Sequence, residues 1–142
     1  MRDLRIVAVA TLLLAACAAP GSNDEESKPM ASVTGTVTYL QRIALPPTAV
    51  IKVQLADVSR ADAPAIVLGT QQIEANGRQV PFAFEIEYDP ARIDARFTYV
   101  VQARIEADGK LLFISDQAYP VLTRGAPSEV DLVLTSVGRP AR

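Results

Sequence analysis

Five stretches of this chain alternate apolar and polar residues with a period of two, and that pattern confines the fold to β-structure. Val33-Gly35-Val37-Tyr39 interleaves with Thr34-Thr36-Thr38, and Ile51-Val53-Leu55 with Lys52-Gln54. Phe82-Phe84-Ile86-Tyr88 stands opposite Ala83-Glu85-Glu87, Tyr99-Val101-Ala103-Ile105 opposite Gln102-Arg104-Glu106, and Val130-Leu132-Leu134 opposite Asp131 and Thr135. Successive side chains of a strand point to opposite faces, so each stretch offers one face to a core and one to water. Ile66 to Ile73 and Leu111 to Ser115 are weaker candidates, and no capped segment of helical period and length occurs. Asp108-Gly109 suits a type I′ hairpin, whose central residues both need positive φ, and Asn76-Gly77 is read the same way between Ile73 and Val80. Pro46-Pro47, Pro64, Pro90, Pro120 and Pro127 fall at the remaining boundaries. Seven strands over about 105 residues predict one all-β domain, a seven- to eight-stranded β-sandwich, with the four Phe and four Tyr mostly filling its core.

The N-terminus carries an address. Arg2 and Arg5, interrupted by Asp3, precede the apolar run Ile6 to Ala16, which is far shorter than the roughly 20 residues of a spanning helix. The run closes on Leu14-Ala15-Ala16-Cys17, which resembles the bacterial lipobox of exported lipoproteins. The resemblance implies cleavage between Ala16 and Cys17, a diacylglycerol on the Cys17 sulfur and an N-acyl chain on its new amino group. The competing reading is a plain secretory signal that happens to meet a cysteine. Each buried CH₂ holds an acyl anchor by about 0.8 kcal/mol, and two or more chains suffice for stable attachment.

Residues 1–16 are thus expected to be a signal peptide, 17–31 an acylated cysteine with a spacer, 32–137 the β-sandwich and 138–142 a short tail. The spacer holds Pro20, Gly21, Ser22, Asn23, Ser27 and Pro29 around Asp24-Glu25-Glu26, too little apolar surface for a packed structure. Fully extended it reaches about 45 Å at ~3.3 Å per residue. Ala18 follows the cysteine where an aspartate favours inner-membrane retention in enteric lipoproteins, so the resemblance implies an outer-membrane lipoprotein facing the periplasm. Cys17 is the only cysteine, which excludes a disulfide framework. Without residues 1–16 the chain has 12 Lys and Arg against 15 Asp and Glu, with no basic cluster of the kind nucleic acid requires.

A longer series of residues carries a family resemblance. Gly35-Thr36-Val37 leads into Arg42-Ile43-Ala44-Leu45-Pro46-Pro47 and then Leu55-Ala56-Asp57-Val58-Ser59. Pro81-Phe82-Ala83-Phe84 and Tyr88-Asp89-Pro90 with Ile93 follow, then Tyr99 to Ile105, Gly109 to Phe113 and Val121 to Gly125. In this order and spacing the chain resembles the YbaY/YscW-like lipoproteins, described as type III secretion lipoprotein chaperones. The resemblance implies a compact sandwich of immunoglobulin- or prealbumin-like appearance and, in the pilotin branch, an outer-membrane lipoprotein that helps a secretin subunit localise and assemble. Such a protein would hold a partner segment in an apolar groove or along a free sheet edge. Leu111-Leu112-Phe113-Ile114, the longest apolar run of the domain, is either such a strip or a strand buried between sheets.

Catalytic readings find little material. There is no histidine, and the lone cysteine is committed to lipid. Ser59 or Ser115 with Lys52 or Lys110 follows no family spacing. Glu85 and Glu87 share one face of a strand about 7 Å apart, a separation a glycosidase uses, yet carboxylates on a wet strand face are commoner. Asp57, Asp89, Asp94 and Asp116 lack the spacing of a calcium loop. No enzyme activity, metal or cofactor beyond the covalent lipid is expected. Arg42, on the Pro-Pro loop, is either a contact anchor or the ion-pair partner of Asp57 or Asp89, and Arg104 belongs to a solvated face. Tyr88-Asp89-Pro90 is read as a turn in which Asp89 accepts backbone N–H groups.

Three functions fit. The first is a lipid-anchored envelope protein that binds or helps assemble another envelope protein such as a secretin subunit. The second is an envelope-integrity lipoprotein without a dedicated client. The third is a carrier for a small apolar ligand, which would need a cavity inside the sandwich.

Overall fold

The computed structural model describes residues 28–138; the signal segment, Cys17 and most of the expected spacer lie outside them. The strands are β1 (Ala31–Tyr39), β2 (Val50–Asp57), β3 (Ile66–Glu74), β4 (Phe82–Tyr88), β5 (Tyr99–Ala107), β6 (Lys110–Ile114), β7 (Tyr119–Val121) and β8 (Glu129–Ser136). A 3₁₀ turn at Pro90–Arg92, capped by the Asp89 side chain on the Ala91 N–H, is the one helical element among the described residues.

Hydrogen bonding follows one path, β3-β2-β5-β6-β8-β1-β4, with β7 added on β5. The path folds over into two layers. One holds β4, β1 and β8; the other holds β3, β2 and β5 with β6 and β7. β8 passes between the layers, pairing β1 in parallel from Glu129 to Leu134 and then β6 at Thr135 and Ser136. The two ends of the path, β3 and β4, meet without a backbone ladder. Instead Gln71 Oε1 accepts the Glu85 N–H at 2.7 Å, and a Cβ on Gly69 would stand only 2.6 Å from the Glu87 carbonyl oxygen. The result is a nearly closed, barrel-like all-β sheet with one side-chain-bridged seam.

The alternation decides which faces meet. β4 alternates buried and exposed at every position, and Val33, Val37, Ile51, Val53, Leu55, Val101, Ile105, Leu132 and Leu134 are all essentially inaccessible. Each such side chain stabilises the fold by about 1.5–3 kcal/mol relative to exposure. Tyr39 stacks on Phe113 with ring centroids 4.2 Å apart, tying the end of β1 to β6. Tyr99 is buried with its hydroxyl occupied, accepting the Asp94 N–H at 2.9 Å.

Two local expectations change. Asp108-Gly109 has φ of 51° and 75° and closes a two-residue hairpin between Ala107 and Lys110. Asn76-Gly77 has the same signs of φ, and the Arg78 N–H bonds the Ala75 carbonyl at 2.8 Å. That turn, however, joins strands of different layers, so it carries the chain across the sandwich and closes no hairpin. Pro120 is not a boundary either: it sits inside β7, a three-residue strand that pairs only with β5. A residue without an N–H is tolerated at such an edge.

Candidate partner-binding surface

The strand directions divide the molecule into two ends. β1, β3, β5 and β8 run from the end that holds the described N-terminus toward the far end; β2, β4, β6 and β7 return. At the far end β1 stops at Tyr39, and the chain turns through residues 40–49 into β2.

That far end carries the most exposed large apolar side chain described, Leu40, at 81% accessibility, together with Ile43 at 56%. Both are held in place. The Tyr39 hydroxyl donates to the Ile43 carbonyl at 2.6 Å, which folds the loop back over the Tyr39–Phe113 stack. Leu45 is buried two residues on, and the Gln79 amide clamps it from both sides, accepting its N–H at 2.7 Å and donating to its carbonyl at 3.2 Å. The Pro46 carbonyl accepts the Ala49 N–H, closing the Pro-Pro turn. Beside this loop, the Val137 N–H bonds the Leu112 carbonyl, bringing exposed Val137 next to exposed Leu111. Leu40, Ile43, Leu111 and Val137 are therefore all exposed at this one end, an apolar tip whose 40–49 loop is held by these hydrogen bonds. Clusters of this kind mark interaction sites more often than singly scattered apolar residues do.

Arg42 stands between Leu40 and Ile43 on this tip and makes no ion pair among the described residues. The expected pairing with Asp57 or Asp89 is not formed, because both acids lie at the opposite end of the strands. Asp57 instead accepts the Ser59 N–H, and Asp89 pairs with Lys28. The Lys28 ammonium holds the Asp89 carboxyl below its usual range, helped by the Ala91 N–H. The run from Leu111 to Ile114 is neither wholly buried nor wholly exposed: Phe113 points into the core while Leu111 faces out.

A second surface is polar. On the outer face of β2 and β5, Lys52 stands directly opposite Arg104, an arrangement of like charges that costs stability unless it is compensated. Glu106 compensates it, taking Lys52 Nζ at 2.7 Å on one oxygen and Arg104 Nε at 3.1 Å on the other. The Lys52 ammonium lowers the Glu106 carboxyl, with Arg104 adding to the effect. Beside this triad a shallow hollow of about 500 Å³ is lined by Gln54, Gln72, Gln102 and Ser115. It opens outward to solvent and not between the layers, so it does not provide the interior cavity that a carrier of apolar ligands would need.

Of the residues weighed for catalysis, the two serines and Lys52 are engaged elsewhere, and Lys110 lies exposed at the start of β6. Ser59 Oγ accepts the Thr98 N–H and Ser115 Oγ the Ala103 N–H, while Lys52 is bound to Glu106. Glu85 and Glu87 lie exposed on the wet face of β4. Asp116 accepts the Thr135 hydroxyl, and Asp94 is chelated by the Arg96 guanidinium and N–H, which together pull its carboxyl down to about 2. Among the described residues no three His, Cys, Asp or Glu side chains come together as a metal site. Cys17 and the Ala16–Cys17 cleavage point lie outside the described residues. The alternation pattern concealed Leu40 and Ile43; the available signal was Leu40 following Tyr39 directly, an apolar residue on the phase that should be wet.

Comparisons with known proteins bear on the family and the fold. The sequence model of the family described as type III secretion system lipoprotein chaperone (YscW) matches residues 28–134. The uncharacterized lipoprotein YbaY of Escherichia coli K12 is 39% identical over 110 residues, covering 78% of this chain. The match spans 57% of that protein's length. Among solved structures, an alternative pilotin from the type II secretion system of Vibrio cholerae superposes with a TM-score of 0.76 at 48% identity. That likeness covers 78% of this chain and the whole of the pilotin.

Proposed function

This chain belongs to the YscW family of type III secretion system lipoprotein chaperones, and on that footing we propose that it is a lipid-anchored envelope protein assisting a secretin-class partner. In this reading Cys17 carries a diacylglycerol and an N-acyl chain after cleavage behind Ala16, and the anchor sits in the outer membrane facing the periplasm. The β-sandwich takes no part in covalent chemistry. It binds a segment of the partner at the apolar tip, so that the partner travels and assembles with the lipoprotein. The observation that carries the proposal is the full-length likeness to the pilotin, 48% identical across that chain's whole length. The tip supports it with exposed apolar side chains on a hydrogen-bonded loop and with Arg42, which makes no ion pair among the described residues, the composition of a contact centre with an Arg anchor.

The test is made in cells that produce both proteins. Envelopes from wild-type cells, cells lacking the chain and cells carrying Cys17→Ser are fractionated, and the secretin-class protein is quantified in the outer membrane. The expected result is a several-fold loss in both altered strains, with the Cys17→Ser chain recovered in soluble form and without lipid mass. An unchanged secretin distribution, accompanied by general detergent sensitivity, would support the envelope-integrity role in its place.

A further inference from the structure

The end of the sandwich opposite the apolar tip has its own apolar and charged residues, which the partner-binding reading does not use. Met30, Ile66, Val67 and Phe97 are exposed there, at 53%, 46%, 44% and 39%. Phe97 is the most firmly placed of them. Thr123 Oγ1 donates to the Phe97 carbonyl at 2.7 Å, and Arg124 Nη2 donates to the Arg96 carbonyl at 3.1 Å. The supporting loop is itself strained: Leu122 and Arg124 have φ of 69° and 57°, a region that side chains other than glycine rarely occupy. Strain held by surrounding structure is a mark of functional segments. Here it presents an aromatic ring to solvent with the Arg96 guanidinium over its face at 5.9 Å.

Cations and acids mix at this end. Lys28, Arg60, Arg92, Arg96 and Arg124 stand on its connecting segments, with Asp62, Asp89 and Asp94 among them and Asp57 and Glu129 at the adjoining strand ends. Lys28 is paired with Asp89 and Arg96 with Asp94, while Arg60, Arg92 and Arg124 make no ion pair among the described residues.

Position supplies the third argument. Lys28 lies at this end, fixed to Asp89, and ten residues separate it from Cys17. Eleven peptide steps reach at most about 35–40 Å, so an acylated Cys17 keeps this end close to the bilayer, where even a weak contact is favoured by proximity.

We propose that the anchor-proximal end, centred on Phe97 and Met30 with its surrounding arginines, lies on an anionic phospholipid surface and points the apolar tip away from the membrane. Amphipathic groups of this kind sit at the headgroup boundary, with apolar parts inserted and cations among the phosphates. The inference rests on acylation of Cys17 and deepens the proposed function by giving the anchored domain one orientation.

The chain contains no tryptophan, so a single introduced one is a specific reporter. Lipidated Phe97→Trp and Leu40→Trp chains are reconstituted into phosphatidylethanolamine vesicles with and without phosphatidylglycerol, using bromine-labelled acyl chains as quencher. Flotation in the same sample reads the anchor independently of the contact. The expected result is quenching several-fold stronger at position 97 than at position 40, reduced when phosphatidylglycerol is omitted and when Arg124→Glu is added. Equal quenching at both positions, or none at either in floating protein, overturns the orientation. Protein that does not float overturns the anchor reading itself.

Discussion

Gly35→Ala is expected to abolish or nearly abolish folding. Gly35 lies in the middle of β1, flanked by β4 on one side and the parallel strand β8 on the other. A Cβ at this position would stand 1.7 Å from the carbonyl oxygen of Val130 and 2.7 Å from its carbonyl carbon. Both are backbone atoms, so no side-chain rotation relieves the overlap. β8 would have to move off β1, and β8 is also the strand that joins the two layers. A loss of about 4 kcal/mol or more is expected, a large part of the 5–15 kcal/mol that holds a typical domain together. In a thermal melt this lowers the midpoint by roughly 15 °C or leaves no cooperative transition. Gly77→Ala is the matched control: its Cβ would meet nothing, and only its positive φ is strained, for a cost of about 1 kcal/mol. Equal effects at the two positions would mean that β1 and β8 are not packed as described.

The second large effect is on binding. Leu40→Asp combined with Ile43→Asp is expected to weaken capture of the partner at least about 30-fold, the equivalent of ~2 kcal/mol at a contact centre. Stability should change little, because both side chains are mainly in solvent and the loop is held by Tyr39, Leu45 and Gln79. Melting curves alongside binding isotherms separate the two outcomes. An undiminished affinity would move the contact away from the tip, to the polar face of β2 and β5.

How much of this could be read from the sequence depended on what each residue faces. Phe82–Tyr88 was legible in full because every inward side chain of β4 meets the core and every outward one meets water. β3 was faint for a physical reason: its inward positions include Gly69 and Gln71, which meet the edge of β4 and bridge the seam where a core strand would carry leucine or valine. β7 was hidden by Pro120, and the Leu111–Ser115 strand was blurred because β6 and β7 share one edge of β5, with Ser115 completing the join through Ala103. The far tip was legible only in part: Arg42 and the run at Leu111 stood out as possible contacts, while Leu40 and Ile43 did not. Local pattern marked residues 40–49 as a break, and nothing local says that Arg42 and its expected acidic partners end at opposite poles. The two-ended arrangement, anchor-proximal cations below and apolar tip above, is a product of topology.

The most direct measurement of the central claim is site-specific photo-cross-linking in cells that make the lipidated chain. A photoreactive residue replaces Ile43 in one strain and Glu87, on the wet face of β4, in another; adducts are identified by mass spectrometry. The account predicts one dominant secretin-class adduct from position 43, little from position 87, and loss of the adduct when Cys17→Ser is added. Adducts spread over abundant outer-membrane proteins, or the same adduct from both positions, would contradict it.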